Sequence, residues 1–195
     1  MNTIVQAATA AQATGDKYWI GRRDSVYLHV AQQICLKYGS KAKSVIDIGS
    51  NATPTLEWHR AKAPRLVSID LRKPYEGEGV ESLKLDFHDF EAESRFDLAT
   101  CFQVLEHLDD PRSFAQKIIE VTWLSVVSVP YKWPRGKCKY HRQDPVDEEK
   151  MLQWFGKRPL FRYVAKELNG QKRMIDVYRG SDPKLPQVVS EDRSP

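Results

Sequence analysis

The period of apolar positions changes along the chain, and each change marks an element. From Asp24 onward Val26, Val30, Ile34 and Tyr38 recur every four residues, with Tyr27, Ala31 and Cys35 on an adjoining face. This spacing predicts an amphipathic helix that ends at Gly39. The run V45-I-D-I48 is short and β-branched, which predicts a buried strand. Similar short runs follow at Leu66–Asp70, Ser82–Asp86, Phe96–Phe102 and Ser125–Pro130. Between them, residues from about Thr55 to Lys62 are expected to form a helix. Asp110 and Pro111 suit an N-cap and first helical position, and Phe114, Ile118 and Val121 give Arg112–Val121 one apolar face. Asp144-Pro145-x-Asp147 reads as another helix start, with Asp144 as the capping acid. Met151, Leu152 and Phe155 supply that helix's apolar side and Gly156 its end. Finally, LFRYVAKEL and RMIDVYR flank Asn169-Gly170, a hairpin signal.

A leading helix, then alternating strands and helices, then an antiparallel hairpin predict an α/β fold. Its sheet is mostly parallel, with helices on both faces. The core domain is expected over 24–180. Residues 1–23 read as an N-terminal extension and 181–195 as a flexible, Pro- and charge-rich tail.

Composition narrows the class. The 195 residues are 41% hydrophobic and 29% charged, with a net charge of +4, as expected for one soluble domain. The charge favours anionic partners weakly and does not by itself indicate a nucleic-acid binder. Cys35, Cys101 and Cys138 lie far apart and form no C-x-x-C pair, which favours a reducing compartment. With no signal peptide and no sustained apolar run, a cytoplasmic location is expected.

In open α/β sheets ligands sit at the carboxyl ends of the strands. The first strand is followed by D47-I-G49-S50-N51-A52-T53-P54. Gly49 permits a sharp turn and close approach to a ligand, Asp47 anchors the turn or accepts from an ammonium, and Ser50 adds a polar group. Asp70 ends the second strand, where a carboxylate suits ribose hydroxyls. Asp86-Phe87 ends the third, where an acid and a ring suit adenine. F102-Q-V-L-E-H107 follows the fourth. Each such residue also has a plain role as turn or cap. Acids at three successive strand ends favour an adenosine site.

This arrangement resembles the class I S-adenosylmethionine-dependent methyltransferases over about Asp24–Arg179. VIDIGSNATP resembles their first motif, LVSIDLR the second strand with its ribose-binding acid, and LKLDF the adenine segment. FDLATCFQVLEHLDDP is the most specific match. The resemblance implies a Rossmann-like, seven-stranded sheet closed by a C-terminal antiparallel hairpin, with S-adenosylmethionine as cofactor. It places Asp47, Gly49 and Ser50 along the cofactor, Asp70 at its ribose, and Asp86 with Phe87 at its adenine. Phe102 and Gln103 would border the methionine and adenosine moieties. Two departures stand out. The turn after the first strand has one glycine where the family has two or three, with Ala52 in place of another. The segment LRKPYEGEGVE is too short for the usual crossover helix, so a loop is expected there.

For chemistry, His107 is the nearest candidate base, with Glu106 orienting the loop. His141 is a second candidate. Its loop, Y131-K-W-P-R-G-K-C-K-Y-H-R142, carries five cations among aromatics and no acid, suiting an anionic or sugar-linked acceptor. No metal motif appears in the local spacing of His, Cys and acids, so none is expected, although a set assembled by folding leaves no such trace. A small-molecule methyltransferase is the leading expectation. Alternatives are an RNA or protein methyltransferase, or a binding protein that retains the fold without turnover.

Overall fold

The computed structural model describes residues 17–181. The first sixteen residues of the expected N-terminal extension and the tail beyond Ser181 lie outside the described residues. Seven strands form one sheet: β1 (Ser44–Ile48), β2 (Arg65–Asp70), β3 (Val80–Lys84), β4 (Phe96–Phe102), β5 (Thr122–Pro130), β6 (Phe161–Lys166) and β7 (Lys172–Arg179). Their order is β3-β2-β1-β4-β5-β7-β6. Strands β1 to β5 pair in parallel, and β7 runs antiparallel to both β5 and β6. The Rossmann-like seven-stranded sheet with its terminal hairpin is therefore present as expected.

Helix α1 (Val26–Tyr38) covers one face, while α2 (Pro111–Val121) and α3 (Glu148–Phe155) cover the other. Strand alternation sorts the side chains between the two layers. On β1, Val45 packs with Ala31, Cys35 and Leu98 on the α1 side, whereas Ile46 and Ile48 join Phe114, Ile118 and Phe155 on the other. Asp47 therefore points to the α1 side, two residues beyond Val45.

Several elements differ from expectation. Residues 55–62 form only a 3-10 turn over Thr55–Trp58, whose Thr55, Leu56 and Trp58 are all buried. Three buried residues in a row of four leave no solvent face, so no amphipathic helix propagates. The link from β2 to β3 contains no helix, as expected from its length. Helix α3 starts later than expected. Asp147 is its N-cap, accepting from the Lys150 amide at 3.0 Å, and Gly156 closes it with φ 66°. Asp144 instead faces His141. Strand β5 begins at Thr122, immediately after α2, and β3 is Val80–Lys84 rather than Ser82–Asp86. Lys17–Ile20 forms a helical turn, and Trp19 is buried against the α1-side core.

The α1 N-terminus has no local cap. Its amides at Val26 and Tyr27 donate instead to the Glu167 carboxylate, at 2.8 and 3.2 Å. Glu167 lies just past β6 and is ion-paired with Arg173 of β7 at 2.9 Å. A carboxylate at a helix N-terminus satisfies free amides and meets the positive end of the helix.

Candidate active site

The order of the strands reverses between β1 and β4, and a crevice opens there at their carboxyl ends. It is a cleft lined by Arg22, Tyr27, Asp47, Gly49, Thr53 and Phe102 among others. Arg22 and Tyr27 come from the N-terminal side, and the Arg22 guanidinium donates to the Tyr27 hydroxyl.

The turn after β1 explains how one glycine suffices. Gly49 has φ 73°, and a Cβ there would collide with the Val104 side chain. Asn51 and Ala52 also take left-handed angles, with φ 43° and 58°. Such angles cost an L-residue about 1–2 kcal/mol. Hydrogen bonds hold them. The Asn51 amide donates to Asp70 Oδ2 at 2.9 Å, and the Ala52 amide donates to the Lys73 carbonyl at 2.8 Å. Ser50 is buried, and its hydroxyl accepts from Ser68 Oγ and the Tyr75 amide, both at 3.0 Å.

Asp70 is thus the hub of two turns. Its Oδ1 accepts from the amides of Arg72 and Lys73, both at 2.8 Å. A carboxylate oxygen has two lone-pair sites. Oδ1 is therefore filled, and Oδ2 keeps one site for a further donor.

Asp47 is fully buried. Thr100 Oγ1 donates to it at 2.6 Å and Thr55 Oγ1 donates to its other oxygen. Lost hydration outweighs these bonds and pushes its pKa up to about 6. Asp86 is exposed and caps a short turn by accepting from the His88 amide at 2.9 Å. Phe87 departs from the expected adenine platform. Its ring is buried with Phe114, at 4.9 Å between centroids, and Phe90. An apolar ring at that strand end is drawn toward the α2-side core. Phe102 lines the cleft and leans on Trp58. Gln103, with φ 58°, donates to Ser128 Oγ at 3.1 Å and accepts from Arg173 Nε at 3.2 Å.

The candidate bases meet. His107 and His141 stand edge to face, 4.8 Å between ring centroids. His107 Nδ1 lies 3.1 Å from the Tyr140 carbonyl. A carbonyl only accepts, so Nδ1 carries the proton and Nε2 presents a lone pair. His141 Nδ1 lies 2.7 Å from Asp144 Oδ2, which orients that ring the same way. Burial lowers the His107 pKa.

Glu106 is the residue whose importance the sequence concealed. Its carboxyl neither orients the loop nor caps a helix. It is fully buried, and neither oxygen has a hydrogen-bond partner among the described residues. Burial raises its pKa to about 8. Arg22 and Arg173 act on it electrostatically, so the cleft and this cluster share one electrostatic field. Its adjacency to His107 was visible in sequence, but no pattern announced its burial.

The basic loop is partly neutralised. Arg142 pairs with Asp109, and Lys132 with Glu148 at 3.4 Å. Arg135, Lys137 and Lys139 are exposed.

A family model described as a methyltransferase domain matches residues 20–155. The chain belongs to the methyltransferase-domain family. Its members of this fold are class I S-adenosylmethionine-dependent methyltransferases, and S-adenosylmethionine is the methyl donor of this enzyme. The residues present fit that donor: a turn closed to any side chain at Gly49, and a strand-end carboxylate with one site left to accept. The methyltransferase resembles solved structures at low identity. One is the 1,6-didemethyltoxoflavin N1-methyltransferase of Burkholderia thailandensis, with bound 1,6-didemethyltoxoflavin and S-adenosylhomocysteine. It is 17% identical, with a TM-score of 0.69, over 92% of this chain and 88% of that one. Another is the N-methyltransferase NodS of Bradyrhizobium japonicum with S-adenosylhomocysteine. It is 15% identical, with a TM-score of 0.65, over 93% and 100%. A third is the [4+2]-cyclase SpnF, 12% identical, with a TM-score of 0.61, over 76% and 79%. At these identities the likeness is one of fold. Comparison with curated protein sequences gives no match. No described helix is long and apolar enough to cross a membrane.

Proposed function

We propose that this methyltransferase methylates an oxygen or nitrogen of a small molecule, with an anionic or sugar-linked compound as the expected class. The observation that carries this reading is the cluster of Glu106, His107 and His141, with the Trp133 ring stacked on that of His141 at 5.7 Å between centroids. Arg173 lies over both the Tyr27 and the Trp133 rings, at 4.6 and 5.3 Å. An anionic acceptor would meet that guanidinium together with two aromatic faces. The bound 1,6-didemethyltoxoflavin of the Burkholderia relative accords with an acceptor of this size. Pairing of Arg142 and Lys132 with acids argues against an extended phosphate-binding track.

In this reading Asp70 Oδ2 accepts from the donor's ribose, Asp86 from its adenine, and Gly49 with Ser50 and Asp47 shapes the methionine side beside Phe102 and Gln103. The donor supplies an electrophilic sulfonium methyl. The chain's own part is to align the acceptor, exclude water and take a proton where one must leave. His107 Nε2, with its lone pair free, is the proposed base, and His141 its alternate. The buried thiols of Cys35 and Cys101 accord with a cytoplasmic setting.

Calorimetric titration with S-adenosylmethionine and S-adenosylhomocysteine tests the donor site. Affinity is expected to fall at least tenfold in Asp70→Ala, and absence of binding to the folded wild type at millimolar ligand would sink the reading. A second reading, binding without turnover, is favoured by the single glycine in the turn after β1. Release of S-adenosylhomocysteine on incubation with a metabolite extract would exclude it.

A further inference from the structure

Glu106, His107 and His141 each bring one ligand atom to within 4.8 Å of the others. Three features separate this cluster from an ordinary polar patch. First, both Glu106 oxygens are fully buried and have no partner among the described residues. A carboxyl group buried without a partner is costly, and a bound cation would repay that cost. Second, both imidazoles have Nδ1 committed elsewhere, His107 to the Tyr140 carbonyl and His141 to Asp144. Their Nε2 lone pairs are left for a ligand, and His107 Nε2 lies 3.9 Å from Glu106 Oε1. Third, Asp144 is itself buried behind His141. A carboxylate–histidine pair of this kind fixes the tautomer and ring angle of metal-bound histidines and raises their basicity.

We propose that Glu106, His107 and His141 bind a divalent first-row transition-metal cation, with Asp144 and the Tyr140 carbonyl orienting the two histidines. Two imidazoles and one carboxylate suit such an ion better than magnesium or calcium, which prefer oxygen alone. Metal–ligand bonds of about 2.0–2.2 Å place ligand atoms about 3 Å apart. The cluster must close by about 1–2 Å, and Glu106 and His107 are placed to move. Glu106 has no hydrogen bond to break, and the His107 side chain is 40% exposed. The guanidiniums of Arg22 and Arg173 oppose the added charge, and the Glu106 and Asp144 carboxylates favour it. Three protein ligands leave positions open on the His107 side. An acceptor bound there through an oxygen would be held beside the donor cleft and its hydroxyl made more acidic, which would replace proton removal by His107 or His141, whose Nε2 atoms the metal would occupy. This last step rests on the methyl-transfer reading, whereas the metal site does not.

The test is titration of the chelator-treated, full-length protein with cobalt(II) chloride, followed by the visible d–d absorption of the bound ion. Saturation at one equivalent is expected. Glu106→Gln and His141→Ala should each weaken binding at least 100-fold. Asp144→Asn should weaken it 10- to 100-fold. His29→Gln, on the outer side of α1, should leave it unchanged. Circular dichroism confirms that each variant is folded. A folded wild type that gives no band, or a band that survives in both Glu106→Gln and His141→Ala, overturns the proposal. Binding of S-adenosylhomocysteine to the metal-free protein is followed in parallel. Its absence would count against the donor site alone.

Discussion

Asp47 is expected to make the enzyme less stable at neutral pH than it need be, by an amount the structure sets. Its folded pKa is about 6 against an ordinary 3.8. At about 1.36 kcal/mol per pH unit, the gap is worth about 3 kcal/mol. Because the folded state holds this proton more tightly, it binds more protons than the unfolded chain between pH 3.8 and 6. Stability therefore falls as pH rises through that window, and the whole cost is present above it. Asp47→Asn removes the charge and keeps an oxygen for one threonine hydroxyl, while the other hydroxyl turns to accept from the amide. Any change in hydrogen bonding is constant with pH. The stability of Asp47→Asn minus that of wild type should then rise by about 2 kcal/mol between pH ~4.5 and ~7.5, the remainder falling below that range. Urea denaturation across that range measures it, and taking the difference cancels every other titrating group. A difference independent of pH would refute the reasoning.

Three further outcomes follow from the same structure. His59 is buried and its pKa is lowered to about 4, chiefly by burial. The unfolded state therefore binds more protons between pH 4 and 6.5, and about 3 kcal/mol present above pH 6.5 is lost on acidification, a loss that His59→Gln should abolish in the same urea series. Gly49→Ala should destabilise by at least about 2 kcal/mol, from its positive φ and from Val104, and Val104→Ala should recover the steric part alone in a double-mutant cycle. Arg162 grips the buried Asp176 with two hydrogen bonds, at 2.7 and 2.6 Å. Arg162→Ala should cost about 3–5 kcal/mol by thermal or urea unfolding, since it leaves a buried carboxylate with only the Tyr178 hydroxyl.

The fold was legible where burial writes itself into residue type. β1 and β2 are short β-branched runs bounded by turns, β4 is a nearly continuous apolar one, and Asp110-Pro111 starts α2 as expected, with Asp110 accepting from the Ser113 amide at 3.0 Å. Elements decided by tertiary contact were not legible. Asp144 and Asp147 are equally good caps on local grounds. The choice falls to Asp147 because Asp144 is buried against His141. Phe87 read as a base platform, and only the position of Phe114 shows that its ring turns inward. At the site, the strand-end acids and the Glu106-His107 pair stood out. The amides that fill Asp70 are backbone groups that carry no sequence signal. The approach of His141 to Glu106 depends on how the loop after β5 folds back, with Arg142 N donating to the Glu106 carbonyl at 2.8 Å.

The cap on α1 ties the order of assembly to the order of synthesis. Glu167 and Arg173, which seat Val26, Tyr27 and the Tyr27 ring, are among the last described residues to be made. A nascent chain that already displays β1 to β5 still lacks the partner for its first helix. The wall of the cleft built by Arg22 and Tyr27 has nothing to close against until the hairpin arrives. An unfinished chain would thus carry the strand-end acids and the loop after β4 yet hold the crevice open on one side, and the final strand would act as the latch.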